Sequence, residues 1–105
     1  MAPSLQSEIA SITAQLIEKY KPEKIILFGS AARGDATCDS DADFLIIKKY
    51  TPHKGRDRII EVSRLIDRNI PADFLVYRPE EFDKRLAMGD PFLEMIVAEG
   101  KVLYG

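Results

Sequence analysis

Between Leu27 and Ile47 the chain reads LFGSAARGDATCDSDADFLII. One apolar run ends in Gly29-Ser30, ten residues intervene, and Asp41 and Asp43 lead into a second apolar run, so the pattern is G-S-x10-D-x-D. Apolar runs this short, bounded by proline, glycine and polar residues, read as buried strands. The glycine lets backbone come close to a phosphate. A helix that opens at Ser30 supplies free N–H groups and a partial positive charge, and the serine adds a hydroxyl donor. Asp41 and Asp43, two apart on a strand, place both carboxylates on one face, while Ala42 and Phe44 point the other way into a core. Two like charges held that close repel, and a cation between them compensates. Oxygen-only ligands favour a hard ion such as Mg²⁺, which takes one or two carboxylates plus substrate phosphates. Arg33, one turn beyond Ser30, is positioned to reach a triphosphate or to screen the acidic cluster. The combination points to chemistry on a nucleoside triphosphate.

The flanking sequence supplies a frame for that segment. Leu5, Ile9, Ile12, Leu16 and Tyr20 fall within about 80° of one another at 100° per residue, one face of a helix that Pro22 stops. Lys24–Phe28 is the first strand and Ser30–Arg33 a helical turn or two closed by Gly34. Asp35–Ser40 is a polar loop and Asp41–Lys48 the second strand. Arg56–Arg68 is a helix with Ile59, Val62 and Ile66 inward, and Ala72–Tyr77 a third strand after Pro71. Pro79 opens a helix through Leu86 that Gly89 ends. Asp90 is an N-cap with Pro91 at the first helical position, Phe92–Glu99 is helical, and Lys101–Tyr104 is a last strand. The order α-β-α-β-α-β-α-α-β predicts an α/β (α+β) fold, a small mixed sheet of about four strands flanked by helices.

Bulk properties narrow the function. With 105 residues the chain has material for one domain, residues 1–105, with one core. The net charge is −2 and the pI about 5.4, which argues against direct nucleic-acid binding, since that usually needs a basic surface. A lone cysteine, Cys38, permits no intramolecular disulfide. With no signal peptide visible, a reducing cytoplasm is expected. No apolar run approaches the ~20 residues needed to span a bilayer, so no membrane role is expected.

A third carboxylate completes the pattern. Asp73 lies in P-A-D-F-L-V-Y, which echoes D-A-D-F-L-I-I of the second strand. If those strands are neighbours, Asp73 faces the same cleft. Three acidic residues around two divalent ions suit in-line nucleotidyl transfer, with Asp73 also able to accept the proton of the attacking hydroxyl.

At this point the LFGSAARG turn, the SDADFLI strand, the Asp73 strand and the EGKVLYG ending together resemble the DNA polymerase beta-type nucleotidyltransferase superfamily. More narrowly they resemble the minimal nucleotidyltransferases (MNT antitoxins) of HEPN/MNT toxin–antitoxin pairs. The resemblance covers nearly the whole chain. It implies that Gly29 and Ser30 bind the triphosphate and that Asp41, Asp43 and Asp73 bind Mg²⁺, two ions in all. It implies transfer of AMP from ATP to a hydroxyl, a tyrosine of a partner HEPN toxin, and so an antitoxin. Larger relatives carry a further domain that shapes the acceptor site. About 30 residues follow Asp73 here, too few for a second core, so another subunit is expected to complete that site. Such a surface suits a homodimer or a hetero-oligomer.

Two rival functions remain open on sequence alone. The same fold could neutralise a partner by binding, with catalysis silent, or it could modify a small molecule of the aminoglycoside type. Other residues read as structural. Cys38 has acidic neighbours and nothing to depress its pKa, Ser40 bonds its own backbone, and His53 stands alone at the surface. Arg64 and Arg68 share a solvated helix face with Asp57 and Glu61. Phe82, Leu86, Phe92 and Ile96 sit at core spacing, with any exposed members facing a partner.

Overall fold

A computed structural model gives the structure, and it describes residues 4–34 and 41–105. Asp35, Cys38, Asp39 and Ser40 lie outside the described residues. Helix α1 (Leu5–Gln15) starts at Ser4, whose hydroxyl accepts from the Ser7 N–H at 3.1 Å. It runs on into a π-helical turn, Leu16–Tyr20, that ends where Lys21 adopts a left-handed conformation. Strand β1 is Lys24–Phe28, followed by helix α2 (Ser30–Arg33) and strand β2 (Ala42–Ile47). Helix α3 (Gly55–Leu65), strand β3 (Ala72–Tyr77), helices α4 (Pro79–Ala87) and α5 (Pro91–Glu99) and strand β4 (Lys101–Tyr104) complete the chain. Asp90 caps α5, accepting from the N–H groups of Phe92 and Leu93.

The four strands form one mixed sheet in the order β3-β2-β1-β4. β1 is antiparallel to both β2 and β4, while β2 and β3 are parallel. The fold is the α+β type expected, and β2 begins one residue later than the patterning indicates. Alternation along the strands builds two cores. Ile25, Leu27, Phe44, Ile46, Phe74 and Val76 face Ile12, Leu16 and Tyr20 of the first helical segment and Val62 and Ile66. Ile26, Phe28, Leu45 and Ile47 face Leu93 and Ile96 of α5, with Phe82 and Leu86 of α4 packed alongside. The sheet is therefore sandwiched between α1 and α3 on one side and α4 and α5 on the other. No helix among the described residues is long and apolar enough to cross a membrane.

The route from β3 at one edge to β4 at the other passes over the second face through α4 and α5. It closes in a tight turn at Gly100. A Cβ there would meet the Ile96 carbonyl and the Ile26 side chain, so only glycine lets β4 lie against β1.

One feature of α3 departs from the patterning. Its buried line runs through Arg58 and Val62, with Ile66 just past the helix end, and Ile59 is 38% exposed. Val62 and Ile66 are buried as expected, and Arg58, 3% exposed, takes the inward place expected for Ile59 because its partners satisfy a buried guanidinium. Arg58 donates to the carbonyls of Pro52, His53 and Val76 and pairs with Glu81 at 2.6 Å. Glu81 also accepts from the Arg78 N–H at 2.8 Å, closing the start of α4. One guanidinium thus ties together the loop before α3, the end of β3 and the start of α4.

Arg58→Ala is expected to cost about 2–4 kcal/mol, because three carbonyls lose a charged donor. Glu81→Gln should cost less, about 0.5–1 kcal/mol, since that carboxylate is 37% exposed and the pair is partly screened. Arg58 holds the Glu81 carboxyl below its ordinary 4.5. The stabilisation is therefore fully present above that value and is lost as pH falls through the lowered value. Denaturant melts of wild type and Glu81→Gln should converge as the pH drops below about 4.5.

Candidate active site

The pairing register decides what the sheet presents at its upper end. Phe28 is the partner of Asp43 across β1–β2, and Asp43 is the partner of Asp73 across β2–β3. Phe28, Asp43 and Asp73 therefore form one row, each about 4.8 Å from the next. All three stand on the α4–α5 side of the sheet, because alternate residues share a face. The echo between the two Asp-bearing segments is an in-register pairing: Ala42 with Ala72, Asp43 with Asp73, Phe44 with Phe74, Leu45 with Leu75. The Phe44 and Phe74 rings stack at 5.7 Å beneath the carboxylates, on the opposite face.

Asp43 is half-buried, Asp41 and Asp73 exposed. The Asp43 carboxyl is held above the ordinary carboxylate range, first by burial, then by the charge of Asp73, a hydrogen bond to it, and the charge of Asp41. Arg33 pulls the other way, lowering the value by its charge. Asp41 stands just before β2 and acts on Asp43 at longer range.

The turn after β1 is built around the same carboxylate. Gly29 has φ +73° and ψ −155°, a region essentially reserved for glycine. A Cβ at this position would collide with Asp43 Oδ2. The backbone of the Gly29-Ser30 turn and the Asp43 side chain are therefore in direct contact. α2 opens at Ser30, and Gly29 O accepts from the Ala32 and Arg33 N–H groups at 3.1 Å. The preceding N–H groups of such a turn have no intrahelical acceptor and are available to an anion.

Among the described residues, no three His, Cys, Asp or Glu side chains are grouped closely enough to hold an ion by themselves. The donor set nevertheless fits a hard divalent cation. All three side chains are carboxylates, and the Asp43–Asp73 pair is crowded by like charge that a cation would relieve. Remaining ligands would come from substrate phosphate, as Mg²⁺ usually requires.

Beside the row lies a groove of about 360 Å³. Asp43 and Asp73 line it together with Phe28, Phe92, Ile59, Ser63, Ala72, Phe74 and Leu75. Phe92 meets Phe28 edge-on at 5.7 Å. The expectation that Ile59 faces the core is therefore corrected: it faces this groove, because Arg58 has taken the buried line of α3. Phe92 is 41% exposed, whereas Ile96 is fully buried, so the expected core set divides between them. The spacing of Ile59 and Ser63, four apart on one helix face, was the available signal for the groove. His53, Arg64 and Arg68 are exposed, as expected, and the Arg68 guanidinium lies over the Phe74 ring.

Comparison with known proteins decides the family. The nucleotidyltransferase domain family model matches residues 9–104. The chain belongs to the nucleotidyltransferase family. It is 33% identical over 103 residues, 94% of this chain and 97% of the other, to a Methanocaldococcus jannaschii protein named "Putative protein adenylyltransferase MJ0604". A second protein of that organism, "Putative protein adenylyltransferase MJ0141", is 46% identical over 48 residues, 45% of this chain and 48% of the other. Among solved structures, a Sulfolobus solfataricus protein titled a "putative nucleotidyltransferase" matches with a TM-score of 0.54 and 32% identity, over 76% of this chain and 78% of that one. The chain is thus a transferase of nucleotidyl groups.

Two measurements test the carboxylate–turn contact in this nucleotidyltransferase. Because the Asp43 carboxyl is raised in the fold, its charged form opposes folding. The stability it lends is present at acid pH and is lost as pH rises through the raised value. Asp43→Asn without metal should therefore melt a few degrees higher than wild type at neutral pH, with the gap closing in acid. Gly29→Ala should cost about 1–3 kcal/mol in denaturant unfolding, from the strained backbone and the displaced carboxylate.

Proposed function

We propose that this nucleotidyltransferase is a Mg²⁺-dependent protein adenylyltransferase that moves AMP from ATP to a tyrosine hydroxyl of a partner HEPN toxin, and so serves as its antitoxin. The observation that carries the reading is the in-register row with the Gly29 turn pressed against Asp43. Support for a protein acceptor comes from the names of the two Methanocaldococcus jannaschii relatives.

In this reading Gly29 and Ser30 hold the triphosphate, and Arg33 adds positive charge between it and the acidic row. Asp41, Asp43 and Asp73 would hold the divalent ions, which lower the barrier by stabilising both the attacking and the leaving oxygen. An Asp73 carboxylate oxygen takes the proton of the acceptor hydroxyl. The acceptor oxygen bonds to the α-phosphorus, the bond from that phosphorus to the bridging oxygen breaks, and pyrophosphate leaves. The partner completes the acceptor site, since the row lies at an open end of the sheet with Asp41 and Asp73 exposed.

Intact-mass measurement of a candidate HEPN partner, after incubation with this chain, ATP and Mg²⁺, tests the reading. One or more added AMP units are expected. Asp41→Asn and Asp43→Asn should each reduce transfer by at least about 10²-fold while leaving the fold intact. A stable complex and silenced toxin with no mass gain would replace catalysis by binding. Neither gain nor complex would return the acceptor to a small molecule.

A further inference from the structure

The net charge of −2 averages two unlike ends of the sheet. Asp41, Asp43 and Asp73 stand where β2 and β3 begin. The opposite end, about 16 Å away along β2, is basic. From Lys48 to Arg58 there are five Lys and Arg residues, His53, and one acid, Asp57. Antiparallel pairing sets Lys24 beside Ile47, so the start of β1 brings Lys21 and Lys24 to the same end. Lys21, Lys49, Lys54 and Arg56 are exposed. A basic surface thus exists locally on a chain that is acidic as a whole, and it lies apart from the aspartates.

The loop that carries most of these cations, residues 48–54, is fastened from behind. The Lys48 N–H donates to the Tyr77 carbonyl at 2.9 Å, and the Lys49 N–H to the Glu23 carboxylate at 2.8 Å. Arg78 donates to the Thr51 carbonyl at 2.8 Å, and the Tyr20 and Thr51 hydroxyls share a hydrogen bond at 3.2 Å. Arg58 holds the carbonyls of Pro52 and His53. Tyr50, in the middle of this anchored stretch, is nevertheless 77% exposed. The Lys49 ammonium lies over its ring, 5.5 Å from the centroid. Tyr104, also exposed, ends β4 at the same edge, and Gly105 after it lies so close to Glu23 and Lys24 that a Cβ there would meet both. Two exposed tyrosines therefore flank the lysines across β4, β1 and β2.

The surroundings of Tyr50 select the partner. Protein interfaces centre on a buried apolar cluster, and within residues 48–54 Tyr50 is the only large exposed apolar side chain. Single-stranded nucleic acid matches what is there: its phosphates meet cations, and every base has a π-face for an aromatic ring. A duplex keeps its bases stacked on one another, whereas the loops of RNA present them unstacked. We infer that the end of the sheet opposite the aspartates binds single-stranded RNA, with a base stacked on Tyr50 and phosphates on Lys49, Lys54 and Arg56. The anchored loop holds the ring in place before the RNA arrives, so little ordering is left to oppose binding. The assignment does not rest on the adenylyl-transfer reading.

Fluorescence anisotropy of a short labelled oligouridylate with the full chain tests it. Binding is expected at roughly 10–100 µM in low salt, and log Kd against log salt should have a slope of magnitude about 2, as three neutralised phosphates give on a single strand. Tyr50→Ala should weaken binding about 5- to 30-fold without changing that slope, because the ring carries no charge. Tyr50→Phe should bind as wild type does. Lys54→Gln and Arg56→Gln should each lower the slope by about 0.7. All three positions are exposed, so the variants fold, and their affinity for a non-hydrolysable ATP analogue should be unchanged. Saturating ATP analogue and Mg²⁺ should leave the RNA bound. No anisotropy change in low salt, wild-type binding by Tyr50→Ala, or equal binding of an RNA duplex would overturn the assignment. So would displacement by the ATP analogue, which would move the RNA to the aspartates. A polyglutamate peptide that competes as well as the oligouridylate would also overturn it, and would make the surface a docking face for an acidic protein.

Discussion

Parallel, in-register pairing of β2 with β3 is the constraint on which the rest of the molecule turns. It superimposes two nearly identical segments, so that aspartate lies beside aspartate above the sheet and phenylalanine beside phenylalanine below it. A slip of one residue would turn Asp43 into the core and Phe44 into solvent. The buried ring stack therefore fixes the position of two charges that would otherwise move apart. Burial of apolar surface on one face holds in place an electrostatic conflict on the other.

That conflict is local, and its neighbours are arranged around it. Gly29 removes the side chain that would collide with Asp43, Arg33 contributes opposing charge, and Asp41 adds to the repulsion from the chain's approach to β2. Arrangements of this kind raise the energy of the free protein slightly and are relieved when a cation arrives. The energy to sustain it comes from the two cores, where Ile12, Leu16, Phe44, Leu93 and Ile96 are fully buried.

Much of this was readable in the chain. The Gly-Ser turn and the two aspartates each lie next to an apolar run whose ends glycine, proline and polar residues define, so strand boundaries and the face of Asp43 followed from alternation. The echo around Asp73 announced the pairing partner. What could not be read was the burial of Arg58 in place of Ile59 on α3. Arg58 is polar and sits among polar residues, and only the carbonyls of Pro52, His53 and Val76 with Glu81, distant in sequence, make its burial favourable. Because Arg58 takes the inward line, Ile59 is turned out, and the groove beside Asp73 exists as a consequence. A helical pattern counted by hydrophobicity alone points Ile59 inward. The departure from it depends on long-range hydrogen bonds that no local window contains.

The Arg58 network also divides β3 into two unlike halves. Its far end, at Val76, is fastened through Arg58 to the loop before α3 and to α4, while the near end carries an exposed Asp73. The fastening and the exposed carboxylate thus occupy opposite ends of one six-residue strand. A chain organised in this way can exchange the residues around its reactive end while the fastening that keeps it folded stays untouched.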